Sequence, residues 1–164
     1  MNIEQLIARL DALESRAAID TLISSYANAF DRLDRALLQS IWHADSTLDL
    51  PGFGNAASRD DILLMAENSW RQMPHMHHWM SNPLIKIDGD SAAGTVAADC
   101  VFYDIEKGPV QVSGLYHDTF ERRSGQWAFK SRYFELHYLT PLKDWAPIAG
   151  NEGFGRQQPS PEQG

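Results

Sequence analysis

Between Met76 and Tyr138 the chain is written as four runs rich in apolar and β-branched residues, 76–87, 92–105, 110–122 and 126–138, broken by Gly89-Asp90, Lys107-Gly108-Pro109 and Ser124-Gly125. Each break is hairpin chemistry, with Gly free to take a positive φ and Asp, Ser or Pro suited to a turn. Links this short leave no room for a crossover helix, so successive runs must pair antiparallel as a meander. The second half of the chain is therefore a sheet, and whatever precedes it has to cover one of its faces.

What precedes it reads as helix. Ile3, Leu6, Ile7, Leu10 and Leu13 recur at helical spacing, and Ile19, Leu22, Ile23, Tyr26 and Phe30 continue the pattern. Ala36 to His43 predicts a further short helix, and STLDLPGFG a short strand ending in the Pro51-Gly52 turn. Ser58, with Asp61 three residues on, resembles a capping box. It predicts a helix to about Gln72 with Ile62, Met65 and Trp70 on its apolar face. Helices first and sheet afterwards is the α+β class, with the helices laid on one sheet face. The domain is expected over residues 1–142. Residues 143–164, rich in Gly, Pro and Gln, are expected to form a tail that is mobile or contacts a partner.

Charge and composition narrow the function. The 164 residues carry a net charge of −8, against the clustered Lys and Arg that a phosphate backbone or an anionic membrane surface requires. No run of about 18 apolar residues is present, so no membrane span is expected. The N-terminus lacks the apolar core of a secretory signal, and a cytoplasmic location is the default expectation. Cys100 is the only cysteine, which excludes an intrachain disulfide and a four-cysteine zinc site.

The stretch PHMHHWMSNP, residues 74–83, puts three histidines within four positions. Strand alternation sends His75 and His77 to one face and His78 to the other. No carboxylate stands at a recognisable ligand spacing, so no metal is assigned and no cofactor is expected. A first hairpin closed at Gly89-Asp90 would set His78 opposite Val101 and Met80 opposite Asp99, making His78 and Asp99 diagonal neighbours at about 7 Å. A second, closed at Lys107-Gly108, would set Tyr116 opposite Asp99. The face so assembled is His78, Met80, Asp99, Val101, Tyr103, Val112 and Tyr116, titratable groups among apolar ones, as a small-molecule pocket needs. A three-residue loop at Arg123-Ser124-Gly125 would place Arg132 on that face as well, and a two-residue loop would turn it outward.

SRAAIDTLISSYANAFDRLD, IWHADSTLDL, HHWMSNPLIKIDGD and FERRSGQWAFKSRYFELHYLTPL resemble the SnoaL-like branch of the nuclear transport factor 2-like superfamily, over about residues 4–142. The resemblance is to its lyases: hexachlorocyclohexane dehydrochlorinase, with scytalone dehydratase and bile-acid 7α-dehydratase further off. It implies a cone-shaped α+β barrel, N-terminal helices closing a strongly bent antiparallel sheet. It also implies a homodimer or homotrimer, and a lyase or isomerase acting on a small hydrophobic, cyclic or aromatic molecule with loss of water, halide or formaldehyde. Carried over residue by residue, the helix acid is Asp31, the sheet histidine His78 and the late arginine Arg132. The dehydratase tyrosine and second acid fall on Tyr26 and Asp99. A lysine stands in the dehydrochlorinase where Tyr26 stands here, and Leu50 and Gly108 stand where other members have tyrosines.

The catalytic candidates are thus His78, Asp31, Asp99, Tyr26 and Arg132, with Tyr116, Met80, Val101 and Tyr103 as substrate contacts. An imidazole that titrates near neutrality can take a proton from carbon. An acid near a helix C-terminus opposes the macrodipole, so Asp31 needs a compensating partner. Each candidate has a plainer alternative: His78 bonded to a carbonyl, Asp31 paired with Arg32 or Arg35, Asp99 a structural acid, Tyr26 a core residue, Arg132 an ion pair with Glu135 or Asp118. The alternative for the whole chain is a non-catalytic small-molecule-binding or assembly module.

Overall fold

The structure, a computed structural model, describes residues 2–142, so the expected tail lies outside the described residues. Helix α1 (Ile3–Asp31) opens the chain, followed by α2 (Arg35–Ser40), β1 (Trp42–Leu50), β2 (Gly54–Ala56), α3 (Arg59–Gln72), β3 (His75–Asp88), β4 (Ser91–Asp104), β5 (Gly108–Arg123) and β6 (Gln126–Pro141). A capping box starts α1: the Asn2 side chain accepts from the Gln5 N–H, and the Gln5 side chain accepts from the Asn2 N–H. Ser58 caps α3 and also donates to the Asp61 carboxylate, so the Ser-Asp signature read in the sequence is real.

The six strands form one sheet in the order β2-β1-β6-β5-β4-β3. β3 to β6 are the expected antiparallel meander. The sheet as a whole is mixed, because β1 joins β6 in parallel. Its two ends, β2 and β3, do not pair, so the sheet is not closed on itself, and the N-terminal helices cover one face as the α+β expectation has it. The short helix stops at Ser40 instead of reaching His43. Ile41 and Trp42 are fully buried, and Trp42 pairs with Phe129 to begin β1. A bulky aromatic side chain gains more on a half-buried strand than by extending an exposed helix.

The core lies between the inner sheet face and the C-terminal half of α1, where Ile19, Leu22, Ile23, Tyr26 and Phe30 meet Trp42, Leu48, Val96, Phe102, Val112, Phe120, Phe129 and Phe134. Registers within the meander depart from simple hairpin counting. The first turn is where expected, Asp88 opposite Ser91, but a bulge between Ser81 and Leu84 moves His78 from Val101 to Cys100 and Met80 from Asp99 to Ala98. The bulge contains Asn82, at φ 52°, and Pro83. Asn tolerates the left-handed region, and Pro, with no N–H for the ladder, belongs where the ladder is interrupted. Arg16 of α1 donates to the Pro83 carbonyl at 3.2 Å and ties the bulge to the helix. The second turn runs from Asp104 to Gly108, which places Tyr116 opposite Val96. The third is the two-residue Ser124-Gly125 turn, yet a second bulge at Lys130 returns Arg132 to the interior, opposite Asp118.

Candidate active site

Asp31 is the last residue of α1 and lies against the edge strand β3. Its carboxylate accepts from the His78 backbone N–H through Oδ2 at 2.9 Å and from the ring through Oδ1 at 2.6 Å. This is the partner that an acid at a helix C-terminus requires. A carboxylate only accepts, so Nδ1 donates to Asp31, and Nε2 is the nitrogen left for Cys100 and the cavity that His78 lines. His77, half exposed, backs the same carboxylate from the outer face at 3.6 Å. Burial disfavours the imidazolium of His78. The charge of a Cys100 thiolate and the hydrogen bond to Asp31 more than offset it, raising the pKa from 6.5 to about 10. A hydrogen bond with the Cys100 side chain and the charge of Asp31 add to the rise.

The cavity has about 610 Å³ of empty space when the part open to solvent is counted, and most of its wall is apolar. Apolar residues of every layer line it, among them Phe30, Phe53, Met73, Met76, Phe102 and Phe134. The polar groups on its wall are His78, Cys100, Ser69 and the phenols of Tyr26 and Tyr116. The Tyr26 ring lies edge-on to His78 at 6.2 Å and to Tyr116 at 5.7 Å. Burial raises the pKa of both phenols, with the Arg132 cation pulling each back, so both stay protonated as hydrogen-bond donors.

Arg132 does not line the cavity. It lies behind the two tyrosines, its Cζ 4.1 Å from the Tyr26 ring centre, 4.1 Å from Tyr116 and 4.5 Å from Phe129. Two hydrogen bonds to Asp118, at 2.8 and 2.7 Å, hold it as a fork. Burial works against this cation and Asp118 restores it, leaving its pKa above the ordinary arginine value. Of the two ion pairs open to it in the sequence, the one with Asp118 forms.

Other expected contacts are displaced. The Ser81–Leu84 bulge reverses every side chain of β4 relative to His78, so Asp99, Val101 and Tyr103 face away from the cavity. Asp99 is exposed and accepts from Ser113. Ala98, Cys100 and Phe102 take the inward positions instead. Met80 packs against the core without reaching the cavity wall. Cys100 was missed as a site residue; the signal was its place directly across from His78, which only the bulged register reveals. Among the described residues no group of three or more His, Cys, Asp or Glu side chains converges as a metal site. None of the described helices is long and apolar enough to cross a membrane.

Comparison with known proteins agrees with this fold. A model of the SnoaL-like domain matches residues 11–133. The gamma-hexachlorocyclohexane dehydrochlorinase of Sphingobium indicum is 28% identical over 136 residues, which make up 81% of this chain and 87% of that protein. The crystal structure of a type 2 hexachlorocyclohexane dehydrochlorinase (LinA) superposes with a TM-score of 0.82 at 28% identity, covering 86% of this chain and 99% of its own. An NTF2-like protein with a cystatin-like fold from Novosphingobium aromaticivorans superposes with a TM-score of 0.70 at 23% identity, over 82% of this chain and 90% of its own, and shares the fold.

Proposed function

This chain belongs to the SnoaL-like domain family, and on that premise we propose that it is a cofactor-independent lyase or isomerase acting on a small hydrophobic, cyclic or aromatic molecule. The observation that carries the reading is the Asp31–His78 pair on the wall of an otherwise apolar cavity. Asp31 holds the ring so that Nε2 meets the bound molecule and steadies the imidazolium formed when it accepts a proton. His78 Nε2 removes a proton from carbon, the C–H electron pair becomes the new double bond, and the group on the neighbouring carbon departs with its own pair. Water and halide leave by this route; loss of formaldehyde starts instead at the O–H of a hydroxymethyl group, where His78 takes the proton, the O–H pair forms C=O, and the C–C bond breaks to leave its pair on the ring carbon. Tyr26 or Tyr116 donates a hydrogen bond to the departing atom, or a proton where hydroxide leaves as water. Arg132 touches neither substrate nor His78 in this scheme; its charge across both phenol rings stabilises negative charge developing on them. It is a positioning residue. Two relatives named dehydrochlorinases support the elimination chemistry. The same reading includes self-association as a homodimer or homotrimer through the outer sheet face, where Trp79 and Tyr133 are exposed.

The test is turnover of a panel of cyclic and aromatic halides and alcohols, followed by halide release or by absorbance of the new double bond. The wild-type protein is expected to turn over at least one class, and His78→Ala to lose that turnover while still folding. Turnover unchanged in His78→Ala would remove the base from the scheme and leave the cavity as a binding site.

A further inference from the structure

Cys100 is a free thiol on the cavity wall that the elimination leaves without a task. β4 turns it inward between Ala98 and Phe102, and the β3–β4 ladder sets it directly opposite His78. Directly opposed residues share a face, with their Cβ atoms about 5 Å apart. The Cys100 side chain hydrogen-bonds with the imidazole, whose Nδ1 already donates to Asp31 at 2.6 Å, so the sulfur lies with Nε2. Acid, imidazole and thiol thus stand in the order Asp31, His78, Cys100, and the imidazole between them is only 9% exposed. A thiol surrounded by apolar groups alone is inert. An acid that orients an imidazole, with the imidazole against a thiol, is the arrangement that makes sulfur a nucleophile.

The rest of the wall selects the electrophile. Phe30, Phe53, Phe102 and Phe134 offer flat apolar surface to a carbon ring. Tyr26, 1% exposed, and Tyr116, 5% exposed, put two phenols on the same wall, and the Tyr26 ring is 6.2 Å from the His78 ring. A phenol O–H donates to a carbonyl oxygen. We propose that Cys100 is a covalent site for cyclic α,β-unsaturated ketones, adding its sulfur to the carbon β to the carbonyl. The thiol proton passes to His78 Nε2 and the sulfur pair forms the S–C bond. The π pair of the C=C bond moves toward the carbonyl as an enolate, whose oxygen accepts from Tyr26 or Tyr116. The imidazolium then returns the proton to the α carbon, so nothing is released and no further reactant is consumed. The step rests on the same Asp31–His78 base as the elimination but needs no leaving group, and it uses up a double bond where the elimination makes one.

The test is intact-mass analysis of the full chain incubated with cyclohexenone, with glutathione as the free thiol at the same pH. Cys100 is the only cysteine, so a thiol adduct reports on it alone. The wild type is expected to gain one probe mass at a rate at least about tenfold above that of glutathione, a modest share of what a positioned base supplies. His78→Gln and Asp31→Asn are each expected to bring that rate down to the glutathione level, and Cys100→Ser to give no adduct. Asp31→Asn, which keeps the imidazole, carries the comparison should His78→Gln not fold. A wild type that reacts no faster than glutathione overturns the proposal. So does a rate unchanged in Asp31→Asn, or an adduct that persists in Cys100→Ser. The adduct is read without turnover: elimination with no adduct would overturn this site alone, and an adduct with no elimination would leave it standing.

Discussion

Two carboxylates in this molecule each hold a basic residue with both oxygens, Asp118 through two guanidinium N–H groups of Arg132 and Asp31 through the ring and the backbone N–H of His78, and they live in different surroundings. Asp118 and Arg132 are sealed at 0% side-chain exposure behind a layer of aromatic rings. Asp31 and His78 keep 17% and 9% exposure at the cavity wall. A guanidinium does not give up its proton, so the first pair is a fixed charge and can serve only to orient and polarise what lies against it. An imidazole can, so the second pair is the place where a proton can move. A two-point carboxylate grip thus yields a fixed charge in one position and a titratable group in the other, and what separates them is which cation titrates and whether a bound molecule can reach it.

Substitutions should pull the two pairs apart. His78→Ala should lower kcat by about 10²–10⁴-fold, because it removes a proton acceptor from a cavity edge, and should still fold while losing the stability that the raised His78 pKa supplies. Asp118→Ala should act on stability first, destabilising the protein by roughly 3–5 kcal/mol in urea unfolding because Arg132 is left as an uncompensated buried charge. Replacing both members with Asp118→Leu and Arg132→Met should recover most of that stability. Should the double variant stay as unstable as the single one, the pair holds the core together in a way the charge argument misses. Asp31→Asn should cost about 10²-fold in kcat with a smaller loss of stability, since it spoils the orientation and charge behind an imidazole that is still present.

A pH series sharpens the contrast. The folded state raises the His78 pKa from 6.5 to about 10. Its contribution to stability is therefore full below about pH 6.5 and lost as pH climbs toward 10. The fraction of free base rises over the same interval, so kcat/KM should climb while the melting temperature falls. In His78→Ala this stability slope should flatten. A wild-type melting temperature independent of pH across that window would mean the imidazole is not held as described. The smallest effect expected is that of Tyr116→Phe, less than about tenfold in kcat, the size of one neutral hydrogen bond.

Much of this was legible in the chain. Turn residues at three places and apolar runs between them specify a meander, and these signals are local. Ser58 announced α3 for the same reason. The parallel joining of β1 to β6 was not legible, since nothing in WHADSTLDL names a partner some 85 residues away. At the site, His78, Asp31, Tyr26 and Tyr116 come together at or against the cavity wall, while Asp99, Val101 and Tyr103 do not. One residue of register made that difference, and side chains on a strand reverse with each such step. The clue stood in plain view: Asn82-Pro83 inside an otherwise regular strand marks an interruption of the ladder. Arg132 shows the converse. Its inward position required a bulge at Lys130 to correct a two-residue turn, and no dipeptide there announces it.

The kink at Asn82 and Pro83 also decides which kinds of genetic change this protein can absorb. Point replacements around the cavity alter its shape by degrees. Loss of one codon at the kink would instead remove the residue that the bulge accommodates and let the ladder run straight, with His78 still opposite Cys100. A protein built this way can drift in preference through substitution, and it absorbs a single-residue deletion at the kink more readily than in the regular β4 ladder across from it.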